Sequence, residues 1–282
     1  MTLRFFCYSF MRVCEAGEVV EDIAAMIEAS RAFERKSAMM LFAFVPTPLL
    51  AEVLSGVDRS FVKVSAQDIA VPHACEIAGE LSLERLLQLD ADMALAGSLD
   101  RRIALGETDE RIARKMDALL RSGLKSVLGV GELSGGGCGD GVTSDLDGAA
   151  ADLDGAASDL DGAAADRAIE QQIAAGFASV PESAYFRTGV VYQHAWSMGE
   201  RACKTPRGYV EARLAAIRGA LRKAVPDAPI DIPVFYGGCT GEDEAVSYLG
   251  EGLFDGIFVD ERQWSTRSFC SVIERVCGCE RP

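Results

Sequence analysis

Side chains that could carry acid–base or nucleophilic chemistry are few in this sequence. It has two histidines, His73 and His194, and nine cysteines. Cys239 and His194 could act as a thiol–imidazole nucleophile pair if the fold brings them together. Two histidines are too few for a histidine-rich metal site, and the cysteines lack the paired CxxC spacing of zinc sites. We therefore expect reduced thiols, and neither a metal nor another cofactor.

Acidic repeats form a second candidate site. Three near-identical heptads, Ser144–Ala150, Ala151–Ala157 and Ser158–Ala164, each contain Asp-Leu-Asp-Gly. This resembles the start of a calcium loop, but the later ligands of an EF-hand are absent. A glycine in every heptad and seven aspartates from Asp145 to Asp166 disfavour helix and strand. We expect a solvated low-complexity insertion over residues 134–166, without a bound ion.

Short apolar segments alternate with amphipathic helical segments elsewhere in the chain, which is typical of βαβ units around a parallel sheet. Three outer helices are predicted over Val19–Phe33, Thr108–Ser122 and Gly208–Ala224. Eight strands are predicted, a number that favours a closed barrel over an open sheet. The predicted strands are Leu3–Met11, Ala38–Phe44, Val62–Ala66, Met93–Ala96, Ser126–Val130, Gly189–Gln193, Val234–Tyr236 and Gly256–Val259.

Length and charge narrow the classes of protein. A chain of 282 residues with 49% hydrophobic content suits a single α/β-barrel domain over residues 1–282. A formal charge of −15 disfavours binding to nucleic acid or anionic membranes. No apolar segment approaches the roughly 20 residues of a membrane-spanning helix. We expect a cytoplasmic protein.

The segment Ser98-Leu-Asp-Arg-Arg-Ile-Ala-Leu-Gly-Glu-Thr-Asp-Glu110 resembles the HSERR…FGETDE signature of triosephosphate isomerases. Further matches occur in the family's order and close to its spacing. They are Ser65-Ala-Gln67, Ala78-Gly-Glu80, Gly123-Leu-Lys125, Val130-Gly-Glu132, Tyr236-Gly-Gly238 and Asp255-Gly256. The resemblance extends from about residue 3 to about 273, interrupted by the insertion, and implies a (β/α)8 TIM barrel with its site at the carboxyl ends of the strands.

The resemblance also locates three catalytic positions, all substituted. Counted without a gap from Arg4–Phe6, Phe10 and Arg12 fall on the Asn and Lys of the strand-1 motif NWKMN. Ser98 falls on the His of HSERR, and Gln193 falls on the Glu base of YEPVWAIGTGK. An amide cannot accept a proton near neutral pH, and a hydroxyl cannot replace an imidazole as proton shuttle. Family members use the Glu as the base and the neutral His as the electrophile.

The phosphate-binding positions implied by the resemblance are altered as well. Gly199 of the lid region remains, but Cys239 falls on the Ser of the YGGS motif. Asp260 and Glu261 fall on the Gly-Gly pair after strand 8. Carboxylates repel a phosphate by about 4 kcal/mol at roughly 4 Å and an effective dielectric of about 20. We expect weakened phosphate binding unless both carboxylates point to solvent.

These substitutions predict a pseudoenzyme, or a ligand-binding or regulatory relative, with a small cationic or zwitterionic molecule at the barrel mouth. One alternative is an active isomerase of a small sugar phosphate, with Arg12 as electrophile and Asp100 or Asp260 as base. Another is an interaction protein whose acidic insertion binds a basic partner. The resemblance further implies a homodimer.

Overall fold

In a computed structural model of the chain, eight parallel strands form a closed barrel. The structure describes residues 3–12, 15–31, 39–72, 78–133, 162–197, 205–228 and 230–278. The strands follow one another around the barrel in chain order, and the last pairs with the first. They are β1 (Arg4–Ser9), β2 (Met39–Val45), β3 (Val62–Ala66), β4 (Met93–Ala96), β5 (Lys125–Val130), β6 (Thr188–Tyr192), β7 (Val234–Tyr236) and β8 (Gly256–Asp260).

Helices surround the barrel and connect successive strands. The described helices are α1 (Ala16–Arg31), α2 (Leu50–Gly56), α3 (Leu83–Gln88), α4 (Leu99–Leu105), α5 (Asp109–Arg121), α6 (Gly162–Phe177), α7 (Arg207–Ala224), α8 (Glu242–Gly250) and α9 (Thr266–Gly278). The predicted (β/α)8 class is confirmed. Within the described ranges, no helix is long and apolar enough to cross a membrane.

Strand side chains alternate between the barrel interior and the surrounding helices, as the two-residue period of a strand requires. Cys7, Phe42, Leu95, Val191 and Phe258 belong to a cluster that fills the interior. The intervening residues pack outward against the helices in two larger clusters. This alternation decides which residue of each strand end can reach a site at the barrel mouth.

Helix α5 shows how the outer layer attaches to the barrel. Ile112, Met116 and Leu119 lie on one buried face at the three- and four-residue spacing of an amphipathic helix. The preceding α4 ends at Gly106, whose φ of 60° is the left-handed conformation that favours glycine. The short α4–α5 connection carries the Gly-Glu-Thr-Asp-Glu sequence of the family signature.

The acidic insertion predicted for residues 134–166 lies mostly outside the described residues. The structure resumes at Gly162, where α6 begins, so the last five residues of the predicted segment are helical. Asp166 contributes there to a 2.8 Å ion pair with the partly buried Arg213. The last acidic residue of the segment therefore anchors α6 to α7.

Candidate functional site

A cavity of about 250 Å³ opens at the carboxyl ends of the strands, between residues at or after the ends of six of them. It is lined by Ser9, Met11, Thr47, Gln67, Asp68, Leu95, Ser98, Asp100, Arg101, Gln193, Phe258 and Asp260. Apolar side chains of the barrel interior form its floor, and the polar groups form its wall. The predicted positions Ser98, Gln193 and Asp260, together with Asp100, are thus brought together.

Gln193 lies at the end of β6 and is held from below by β5. Its backbone N–H donates to the Val130 carbonyl oxygen at 2.9 Å. Gly131, the residue after β5, is fixed by the side chain of Gln172. The Gln172 amide donates to the Gly131 carbonyl oxygen at 2.9 Å and accepts from the Gly131 N–H at 2.8 Å. Gln193 is only 4% exposed, and its Oε1 has no hydrogen-bond donor in the described part of the chain. A ligand that donates a hydrogen bond would compensate for this.

Ser98 and Asp100 are positioned by the start of α4. Ser98 is the N-cap residue, yet its hydroxyl accepts no capping hydrogen bond. The neighbouring loop is fixed by Arg102, whose buried guanidinium donates to the carbonyl oxygens of Gly97 and Gly129, each at 3.1 Å, and to Asp109 at 2.6 Å. Arg102, a residue of the family signature, therefore positions the loop that carries Ser98.

Asp260 does not point to solvent, because it is only 6% exposed and is paired with an arginine two residues away. The Arg262 guanidinium contacts Asp260 at 2.7 Å and reaches Asp100 at 3.3 Å. Burial opposes the charge on Arg262, but these carboxylates outweigh it and raise its pKa. The predicted repulsion of anions by Asp260 is thus partly neutralised within the wall.

The turn after β8 uses its own backbone N–H groups. The N–H of Glu261 donates to the Ser9 carbonyl oxygen, and that of Arg262 donates to the Asp260 carboxylate. The N–H groups of Gln263 and Trp264 donate to the Asp260 carbonyl oxygen, and all four hydrogen bonds are 2.8–3.1 Å long. The Glu261 carboxylate in turn accepts from the N–H groups of Met11 and Arg12 at 3.1 and 3.0 Å. Glu261 ties the turn to the end of β1, and no N–H of residues 261–264 is left to hold a phosphate.

A charged network extends from the cavity wall beneath α5. The fully buried Lys115 contacts Asp68 at 2.7 Å and Glu107 at 2.5 Å, and Arg101 contacts Asp68 at 2.7 Å. Burial raises the pKa of Asp68 to about 6, although Lys115 and Arg101 oppose the shift. Asp68 is therefore a wall carboxylate with a pKa above its usual range. It was not among the residues predicted from the sequence, although a lysine on the apolar face of α5 indicates a buried acidic partner.

His194 belongs to an aromatic cluster behind the cavity. Its ring stacks on Trp196 with centroids 4.6 Å apart, and its Nε2 lies 3.1 Å from the Thr205 hydroxyl. Burial lowers the pKa of His194 to about 3, so the imidazole is neutral. Cys239 lies nearby, after β7, and is partly exposed. A thiolate–imidazolium pair would require a protonated imidazole, which this burial disfavours.

The remaining predicted positions are distributed differently. Phe10 is 1% exposed and packs against Tyr8 in the core, with ring centroids 5.0 Å apart. Arg12 is exposed and does not line the cavity, whereas Met11 does. Because interior positions alternate along β1, Ser9 and Met11 face the site instead of Phe10 and Arg12. Gly199 lies outside the described residues.

The fold and the cavity define a (β/α)8 barrel with a site at the carboxyl face, where enzymes of this fold carry theirs. A sequence profile described as Triosephosphate isomerase matches residues 14–276. The chain therefore belongs to the triosephosphate isomerase family.

Individual relatives are distant but cover most of both chains. A protein named Triosephosphate isomerase from Herminiimonas arsenicoxydans is 25% identical, covering 81% of this chain and 83% of its own length. One named L-erythrulose-1-phosphate isomerase from Rhizobium meliloti (strain 1021) is 23% identical, covering 94% and 92%. The chain is thus similar to isomerases named for two different sugar phosphates.

Proposed function

We propose that this chain is a ligand-binding member of the triosephosphate isomerase family that has lost the isomerisation chemistry. The observation that carries the proposal is Gln193, a buried carboxamide at the position of the family's base. An amide has no useful proton affinity near neutral pH, and losing a general base typically lowers the rate by about 10²- to 10⁴-fold.

Three further features support the loss. Ser98 replaces the imidazole, and Met11 rather than a cation faces the cavity from β1. The turn after β8 has already used the N–H groups of residues 261–264 internally. A sugar phosphate would thus meet neither the family's glutamate base, nor its imidazole electrophile, nor a phosphate-binding turn after β8.

The wall chemistry favours a small cationic or zwitterionic ligand. Three carboxylates, Asp68, Asp100 and Asp260, line the cavity with one cation, Arg101, and the Gln193 Oε1 lacks a donor in the described part of the chain. Ammonium groups carry three hydrogen-bond donors and a positive charge, which suits carboxylate and carboxamide acceptors. The dianionic phosphate group of a monoester has only acceptors and would leave the Gln193 Oε1 unsatisfied.

A melting-temperature comparison tests the ligand class. A ligand that binds only the folded chain raises the melting temperature according to its concentration over its dissociation constant. We expect ethanolamine or an amino acid at millimolar concentration to raise it, and 2-phosphoglycolate and inorganic phosphate to leave it unchanged. The shift should disappear in Gln193→Leu. Stabilisation by 2-phosphoglycolate alone would contradict the proposal.

Asp68 favours one alternative, an isomerase that works through substitute groups. Its carboxylate lines the cavity, and burial raises its pKa to about 6, a suitable value for a general base. Of the other bases considered, Asp260 is held by Arg262, and Asp100 is partly exposed. Under this alternative, Asp68→Asn would abolish turnover of glyceraldehyde 3-phosphate or a related sugar phosphate, while the exposed Asp243→Asn would not.

We also propose a cytoplasmic homodimer, on the ground that the family is typically dimeric. Sedimentation equilibrium measures the assembly directly, and a mass of one chain at micromolar concentration would contradict it. The interaction-protein alternative rests on the acidic heptads. Deletion of residues 144–160 spares α6 and should abolish pull-down of a basic partner if that alternative holds.

A further inference from the structure

A second cavity lies at the opposite end of the barrel, between the amino ends of the strands. Its volume is about 340 Å³, larger than that of the cavity at the mouth. The walls are interior side chains of the first barrel layers, including Phe5, Phe42, Met93, Val127 and Phe235. A space of this size is within the range of small-molecule sites, roughly 300–1,000 Å³.

The opening of this cavity is apolar. Leu3, Phe186 and Ile230 line it and are 38%, 56% and 52% exposed. They are three of the seven large hydrophobic side chains that are exposed among the described residues. Grouped exposed apolar side chains around a concave space mark a binding site more often than scattered ones do.

Two cations stand at one side of the same opening. Lys125 begins β5 and Arg187 directly precedes β6, and the pairing of Ser126 with Thr188 places them side by side. Neither forms an ion pair with a carboxylate in the described part of the chain. The Arg187 Nη2 donates to the Leu120 carbonyl oxygen at 2.6 Å, but its Nε is buried without an acceptor.

The carboxylates at this opening do not neutralise the two cations. Asp255 accepts from Arg218 at 3.2 Å and from the Val234 N–H at 2.9 Å. Asp231 is exposed and precedes β7, and the pairing of Val190 with Val234 places it next to Arg187, but the two form no ion pair within the described residues. In a chain with a formal charge of −15, two adjacent cations without a carboxylate partner are a distinct local feature.

We propose that this cavity binds an amphiphilic carboxylate, with its apolar body in the barrel and its anionic head on Lys125 and Arg187. If each heavy atom needs about the 30 Å³ of a liquid water molecule, the cavity holds on the order of eleven heavy atoms. This is the size of a medium-chain fatty acid or a small aryl-alkyl carboxylate.

Isothermal titration of the full chain with octanoate tests the proposal. We expect one site per chain, with octanol and acetate binding at least tenfold more weakly, because each lacks one half of the required chemistry. Lys125→Gln should weaken octanoate binding at least tenfold. The matched control Lys223→Gln, which removes an equally charged but largely exposed side chain on α7, should not change it.

A second variant keeps the test decisive if Lys125→Gln fails to fold. Val127→Phe fills the cavity wall without altering charge and should abolish binding of octanoate and octanol alike. Absence of octanoate binding by the wild-type chain would overturn the proposal. Equal affinities for octanoate and octanol, or unchanged affinity in Lys125→Gln, would overturn the assignment of the head group to the two cations.

Discussion

Arg262 is the residue that allows two acidic side chains, Asp260 and Asp100, to lie together at the barrel mouth. It contacts Asp260 and Asp100, while Glu261 is used by backbone N–H groups of the loop after β1. In the sequence, Asp260-Glu261 beside a phosphate-binding position indicates repulsion of the phosphate. The sequence does not show that the Arg262 side chain pairs with Asp260. The charge of the cavity wall therefore depends on side-chain contacts that the sequence alone does not reveal.

Replacing Arg262 by glutamine leaves Asp260 buried without a charged partner. Breaking a buried pair costs about 3–5 kcal/mol, and since Arg262 is partly exposed we expect about 2–3 kcal/mol less stability at pH 7. Chemical denaturation measures the loss, with the exposed Arg222→Gln as control. A deficit no larger than that of Arg222→Gln would contradict the ion-pair explanation.

His194 predicts a specific pH dependence of stability. Burial lowers its pKa from 6.5 to about 3, so the unfolded chain takes up this proton at a higher pH than the folded chain. Its contribution to stability is complete above pH 6.5 and is lost as the pH falls toward 3, with a slope of up to about 1.4 kcal/mol per pH unit.

Comparing wild type with His194→Phe isolates this contribution. Carboxylates titrate identically in both chains, so the difference in unfolding free energy between pH 7 and pH 4.5 reports the imidazole. We expect the variant to lose less stability than wild type on acidification. Parallel pH curves would mean that the imidazole is protonated in the folded state or is solvated.

At the scale of elements, β5 and β6 meet more closely than a side chain would permit. A Cβ on Gly131, whose φ is 148°, would lie 1.5 Å from the Gln193 carbonyl oxygen. This close approach brings Gln193 to the cavity. Two hydrogen bonds between Gln172 of α6 and the Gly131 backbone stabilise it. The glycine is therefore a positioning residue for the site.

Gly131→Ala should destabilise the chain by about 3 kcal/mol or more, because a backbone oxygen cannot move aside as a flexible side chain can. Gly219→Ala is the matched control. Gly219 lies within α7 with open space around its Cβ position, so alanine should stabilise the helix by about 0.5–1 kcal/mol. Thermal denaturation of both variants measures the contrast, and equal effects would contradict the close packing of β5 on β6.

The elements themselves were largely predictable from the sequence. Val62–Ala66, Met93–Ala96 and Val234–Tyr236 were predicted to the residue, because short apolar segments between polar turns define buried strands. The cavity-lining residues of β1 were harder to predict. Counting from the motif assigns a residue to each family position, but it does not show which residues face the barrel interior. The interior alternation of β1 places Met11, and not Arg12, in the cavity lining. Asp68 was missed because its partner Lys115 is distant in sequence.

At the scale of the whole molecule, the chain keeps the family's barrel, and we propose that the chemistry of its mouth has changed. The scaffold residues of the signature, Arg101, Arg102 and Glu107, still form buried or partly buried networks around α4 and α5. The groups at the positions that the resemblance assigns to base and electrophile, Gln193 and Ser98, support the proposed loss of isomerisation. The apolar cavity at the other end of the barrel is separate from the mouth, and its role as a binding site is a second proposal.

The most direct test of the central claim is a coupled isomerase assay with glyceraldehyde 3-phosphate at micromolar concentrations of the purified chain. We predict a rate indistinguishable from the uncatalysed background, and no change in Asp68→Asn. Turnover well above background that co-purifies with the chain and is lost in Asp68→Asn or Gln193→Leu would contradict the account and favour an active isomerase.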